Sequence, residues 1–130
     1  MLPGATNSEE VIQKVNIDCV TATGVQTLFT TRNVTGLRFI PTALIFELIT
    51  VSVFTTVPTI SFGQNGGSFN DIIAATPLTG VSSANNIIRL VIPNTVLSSI
   101  AANTAVGINV TVAAVSTTYA GNFYVKGFYR

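Results

Sequence analysis

The 130-residue chain predicts an all-β, single-domain β-sandwich, jelly-roll-like, of about eight strands with an extended N-terminal arm. Two observations carry that prediction. Apolar residues recur at every second position over much of the chain, the spacing of a strand with one buried face, and helical periodicity is hard to find. Gly, Pro and Asn punctuate these runs at short intervals, as in sandwiches and jelly rolls built from short strands. The length suits a single core.

Residues 1–10, "MLPGATNSEE", have no strand pattern and read as an arm that docks on a neighbouring subunit, or else as a loose tail; the sandwich domain spans 11–130. Strands are expected at Val11–Ile17, Thr27–Thr31, Leu37–Ile40, Ala43–Val53, Thr59–Phe62 and Ile87–Ile92. "AVGINVTVAAV" alternates most cleanly, with Val106, Ile108, Val110 and Val112 on one face and Gly107, Asn109 and Thr111 on the other. In "NFYVKGFYR", Phe123, Val125 and Gly127 oppose Tyr124, Lys126 and Phe128, so aromatics occupy both faces and both should be covered. Turns are expected at "TATG" 21–24, "NVTG" 33–36, "VP" 57–58, "PN" 93–94 and "AGN" 120–122. Only "TVLSSIAA" 95–102 and "FNDIIAA" 69–75 could make a helical turn or two.

Composition narrows the function. The chain is 48% hydrophobic and 8% charged, against a charged share of about 25% in soluble domains. Six basic and five acidic side chains cannot coat a monomer, so the chain either enters a membrane or hides surface against protein. The longest apolar run, Leu37–Phe54, carries Arg38, Pro41 and Glu47 and many β-branched residues, which suits a strand and not a spanning helix. Residues 1–10 lack the basic start and apolar core of a signal peptide. With no Trp and three Tyr, the aromatic girdles of a membrane barrel are missing. No membrane partner is expected, and an obligate oligomer accounts better for the apolar excess. The net charge of +1 comes from bases scattered singly along the sequence, so no nucleic-acid partner is expected. Cys19 is the only cysteine; it allows no intrachain disulfide and reads as a small buried hydrophobe, compatible with a reducing cytosol.

The most motif-like segment is "GQNGGS", Gly63–Ser68. It lacks the Lys of a P-loop and the spacing of a dinucleotide fingerprint, whereas Asn-Gly and Gly-Gly suit the positive φ of tight hairpin turns. No His exists, and Asp18, Glu47 and Asp71 lie far apart in sequence, so no catalytic residue, no cofactor site and no enzyme activity are expected. Glu47, between Phe46 and Leu48, needs a partner if its strand is central, with Arg38 and Arg89 the candidates. Asp71 fits a local cap of a turn or short helix. No metal site is expected: Asp71, Asn65 and Asn70 offer calcium one carboxylate without EF-hand spacing. Asn33-Val34-Thr35 and Asn109-Val110-Thr111 are chance matches to the glycosylation sequon. Tyr119, Tyr124 and Tyr129 could form a carbohydrate platform, but interface packing is the commoner use.

Two segments, "PTISFGQNGGSFNDIIAATPLTG" (58–80) and "NTAVGINVTVAAVSTTYAGNFYVKGFYR" (103–130), resemble the carboxy-terminal halves of small virion structural proteins of tailed bacteriophages. Shared features are a strand, a Gly/Asn turn, an "NDI"-like step and a final hairpin ending "TTYxGxxxVxGFY". The resemblance covers well under half of the chain. It implies a β-sandwich virion component, usually a homotrimer, made in the host cytoplasm and bound to the major capsid protein at the capsid surface as a cement or decoration protein. A tail-fibre or receptor-binding, glycan-binding domain is the alternative that it leaves open.

Overall fold

The computed structural model describes residues 10–20, 23–92 and 99–130, with side chains from Val15 onward. Alternating apolar residues assemble into eight strands: β1 (Glu10–Asp18), β2 (Gly24–Thr30), β3 (Phe39–Ser52), β4 (Thr59–Gly63), β5 (Ile73–Pro77), β6 (Ile87–Val91), β7 (Ala105–Val112) and β8 (Thr118–Tyr129). No helix occurs among the described residues. Two four-stranded antiparallel sheets result, with orders β1-β8-β3-β6 and β2-β7-β4-β5. The first strand pairs with the last, the second with the seventh, the third with the sixth and the fourth with the fifth. One long hairpin folded across two sheets gives that order, so the sandwich is jelly-roll-like. Among the described residues each sheet ends in two edge strands, and the space between the sheets is filled by side chains. This is a sandwich, not the closed cylinder of a membrane barrel.

The core is densest between β3 and β8, which pair along almost their whole length, from Phe39 opposite Tyr129 to Ser52 opposite Thr118. The inward row of β8 reads Tyr119, Gly121, Phe123, Val125, Gly127, Tyr129, so its two glycines leave gaps between larger side chains. Two rings of β3 occupy them. A Cβ at Gly121 would lie 2.7 Å from the Phe46 ring and against the Glu47 carbonyl; one at Gly127 would lie 2.5 Å from the Phe39 ring and against the Ile40 carbonyl. Phe46 then stacks on Tyr119 at 6.0 Å and meets Phe123 at 4.7 Å, while Phe39 meets Tyr129 at 5.0 Å and Phe29 edge-on at 5.4 Å. Such pairs each contribute about 0.5–1.5 kcal/mol beyond area burial.

Several elements differ from the sequence expectation. Leu37–Ile40 and Ala43–Val53 are not two strands: β3 runs on through Pro41, and the register shifts between Pro41 and Ala43, where a bulge accommodates a residue that has no N–H to donate. "AGN" 120–122 is strand and not turn, because Gly121 is needed for close approach and Asn122 pairs with Asn16. The 69–75 segment forms no helical turn. Ile73 pairs with Phe62 and starts β5, so the buried contact overrides local preference. The turn at 33–36 is seen at Gly36 (φ 83°), and Gly24, where β2 starts, takes φ 96°, as glycine allows; residues 21, 22 and the 93–94 turn lie outside the described residues. Most of 95–102 lies outside the described residues, although Ile100 is buried and bridges to Phe39. The 1–10 arm also lies outside them, except for Glu10, which already pairs with Gly127.

Gly121→Ala should therefore lower stability by about 2 kcal/mol or more, because the obstacle is a backbone carbonyl and a packed ring. Gly66→Ala, with nothing within 4 Å, should change little. Thermal unfolding of the two variants checks the contrast.

Candidate assembly surface

Register fixes what the outer face of the β1-β8-β3-β6 sheet displays. One row across it holds Asn16, Asn122, Glu47 and Ile87; the next holds Tyr124, Ile45 and Arg89; the next holds Lys126, Ala43 and Val91. Over β8 and β3 the face is polar and cross-linked. Tyr124 Oη donates to Glu47 Oε1 at 2.8 Å, and Asn16 Nδ2 donates to Asn122 Oδ1 at 3.3 Å. The Glu47 carboxylate, with a smaller contribution from burial, raises the Tyr124 hydroxyl above the ordinary phenol range. The partner of Glu47 is thus a tyrosine from the neighbouring strand. Neither expected arginine fills that role, since Arg38 bonds Ser99 and Arg89 stands across Ile45.

On β6 the outward row is exposed: Ile87 is 62% exposed and Val91 68%, with exposed Arg89 between them and Ile49 beyond Ile87 on β3. β6 ends its sheet among the described residues, and Arg89 is the one charged side chain on it, the kind of residue that blunts an edge. At the far end of the sandwich Val53, Val112 and Val115 are also exposed. Val53 adopts φ 50°, a conformation that β-branched residues rarely take. The aromatic rings are turned inward or half-covered, and the large exposed apolar side chains among the described residues are all Val or Ile.

The Gly63–Ser68 segment belongs to a loop, 64–72, that folds back across the outer face of the other sheet. Its fixed point is Phe69, buried to 2% and at φ 42°, whose ring lies on Gly107 of β7. Gly107 faces outward, between inward Val106 and Ile108, and a Cβ there would be 2.7 Å from the Phe69 ring. Asn65 accepts from Ser68 N (2.8 Å) and Phe69 N (2.9 Å) through its carbonyl and from Asn70 N (2.9 Å) through Oδ1, while its Nδ2 donates to Asn70 Oδ1 (2.7 Å). Asp71 Oδ1 accepts from Gln64 N at 2.8 Å. The tight hairpin expected from Asn-Gly and Gly-Gly is replaced by this longer loop. None of Gly63, Gly66 and Gly67 takes positive φ; Phe69 does, held there by its burial. Asp71 has the local backbone role expected of it, in a loop and not a helix. The three candidate calcium ligands come together, but these bonds occupy an oxygen of each.

The tyrosines separate. Tyr119 is fully buried and donates to Val81 O at 2.6 Å; Tyr129 is buried beneath the Arg32 guanidinium, 4.5 Å from its ring centre. Only Tyr124 is on a face, so no three-tyrosine platform exists. Cys19 is fully buried, and desolvation, aided by nearby Asp18, pushes its thiol up from 9.0 to about 12. Periodicity could not have found the apolar edge at β6, because which face of "IIRLV" meets solvent depends on its partner strand.

No family model matches the chain, and no curated protein matches it. Solved structures do. A chain in the capsid of Ralstonia phage GP4 superposes with a TM-score of 0.62 and 14% identity, covering 99% of this chain and 88% of that one. A chain in the acidic stable capsid structure of Helicobacter pylori bacteriophage KHP30 gives 0.58 and 16%, covering 94% and 89%. A chain in the cyanophage Pam1 capsid asymmetric unit gives 0.54 and 18%, covering 95% and 86%. At these identities the likeness is one of fold: an eight-stranded sandwich that also occurs in the capsids of three bacteriophages.

The burial of Cys19 and Tyr119 sets a pH dependence. Both groups have folded pKa values raised above their ordinary ones, chiefly by desolvation, so the unfolded chain loses their protons first and stability falls as pH rises from about 9 toward 12. Denaturant midpoints across that range should decline. At pH 8 a thiol reagent should label Cys19 only after unfolding, and rapid labelling of the native protein would contradict the buried position.

Proposed function

We propose that this chain is a non-enzymatic virion structural protein of a bacteriophage, a cement or decoration protein that stabilises the head by bridging capsid subunits. The observation that carries the reading is the near end-to-end match of the sandwich to a chain of a phage capsid, over 99% of this chain and 88% of that one. The surface supports it. An open edge strand with exposed Ile87 and Val91 beside a Tyr124–Glu47 pair has the mixed character of a contact surface, in which apolar side chains are desolvated and a few polar pairs fix register. The protein would act as a homotrimer on the major capsid protein, each contact excluding water from about 1,600 Å² or more of surface, with repetition over the shell multiplying the effect. The tail or receptor-binding reading, in which a glycan binds through loops such as 63–70, has less support, because the side chains of Asn65 and Asn70 in that loop are bonded to each other.

Imaging of the intact particle at subunit resolution tests the reading. The sandwich should be found on the outer surface of the head, spanning neighbouring capsid subunits; finding it only in the tail would overturn the cement role. Mass measurement of the purified protein should give a trimer, and a stable monomer at high dilution would contradict the oligomeric part. Val91→Lys, at an exposed position, should leave thermal unfolding near wild type and reduce assembly or attachment at least tenfold. Unchanged assembly would remove the β6 edge from the contact.

A further inference from the structure

Charge is spread unevenly along the sandwich. Four connections close one end: 19–23 between β1 and β2, 53–58 between β3 and β4, 78–86 between β5 and β6, and 113–117 between β7 and β8. None of these segments contains Asp, Glu, Lys or Arg. Among the described residues Asp18 is the one charged residue at that end. It stands on edge strand β1, across Ala120 of β8 from Thr50 of β3, and is thus about 10 Å to one side at two strand spacings. Its Oδ1 accepts from Val20 N at 2.9 Å.

Val53, Val112 and Val115 are exposed at this neutral end, and Val53, at 78%, is the most exposed large apolar residue described. The connections that carry Val53 and Val115 are tied together. Thr117 N donates to Ser52 O at 3.0 Å, Thr55 N to Val115 O at 2.7 Å and Val115 N to Thr56 O at 3.0 Å. Beneath them Phe54 meets the Tyr119 ring at 6.0 Å, and buried Ala114 donates through its N–H to Cys19 O at 3.0 Å. Phe54 and Ala114 face the core while their neighbours Val53 and Val115 face out, so the two valines stand on a packed base. Val53 also takes φ 50°, where Gly or Asn is at ease and a β-branched side chain is strained. The described chain leaves that side chain open, so burial within the chain does not offset the strain.

A rotation axis brings each residue near it against its own copies. A charge placed there meets like charge, which opposes association. An uncharged apolar end meets a surface as uncharged and apolar as itself. The other parts of the sandwich lack that property: the outer face of the β1-β8-β3-β6 sheet carries Glu47, Arg89 and Lys126, and Arg32, Arg38 and Arg130 belong to the opposite end.

We propose that Val53, Val112 and Val115 lie at the rotation axis of the homotrimer, where the neutral end of each copy is covered by the same end of its neighbours. This rests on the homotrimer proposed above. The test is the mass of purified protein over a dilution series. Val53→Glu and Val53→Lys should each weaken association at least tenfold, with recovery as salt screens the like charges. An equimolar mixture of V53E and V53K should associate more strongly than either variant alone, which a folding defect would not produce. V53C treated with a short bis-maleimide should give covalently joined chains, and wild type none, because Cys19 is buried. A mixture no stronger than its components, or a V53C oligomer that does not cross-link, would overturn the axis alone. So would V53E that forms a normal oligomer but fails to attach to particles, a result that would assign Val53 to the shell protein. Wild type that stays monomeric at every concentration would overturn the homotrimer and the axis together.

Discussion

The sandwich depends on how closely β3 approaches β8. Two strands that pair along nearly their full length would ordinarily project a side chain at every inward position. Here β8 omits two of them, and the rings of Phe46 and Phe39 fill the space over Gly121 and Gly127. That exchange lets the Phe46, Tyr119 and Phe123 cluster and the Phe39, Tyr129 and Phe29 cluster form within one ladder. The same device recurs outside the core, where Phe69 lies on Gly107 and pins a surface loop to the other sheet. Aromatic mass is thereby placed where backbone meets backbone, and little of it remains for the exterior.

The exterior is correspondingly short of charge and short of rings. Hydroxyl and amide groups carry much of its hydrogen bonding, as in the Ser52 to Thr118 contact at 2.7 Å and the Asn16 to Asn122 contact. Its exposed apolar side chains are β-branched and concentrated at an edge strand and at one end. β-Branched side chains have few rotamers to lose when covered, so a neutral surface of this kind can be buried against protein with little desolvation of ions.

Much of this architecture was legible in the sequence because burial on one face imposes period two. "AVGINVTV" shows that period, and Val106, Ile108 and Val110 are buried as expected, whereas Val112 at the end of the strand is exposed. The errors arose where local chemistry and tertiary contact disagree. Pro41 looked like a break, but a bulge absorbed it; Gly121 looked like a turn, but its missing side chain was what the core required. Glu47 was correctly read as needing a partner, yet the partner came from across the sheet and was a phenol. The surface was less legible than the core. Whether Ile87 or Ile88 meets solvent depends on strand register, which no local window of sequence contains.

The nested pairing of strands also bears on how the chain reaches this state. Only β4 and β5 are joined by a short connection; β3 with β6, β2 with β7 and β1 with β8 enclose progressively more chain. Closure entropy increases with the length enclosed, and each completed pair shortens the effective loop for the next. The 64–72 loop, with its internal bonds and its Phe69 anchor, therefore sits at the innermost hairpin, the least demanding place for the ladder to nucleate. Pairing would then travel outward, and the edge strand β1 would be the last to register. The segment that once looked like a ligand loop is best placed to start folding, and the opposite extreme of the ladder, β1 against β8, closes the longest loop.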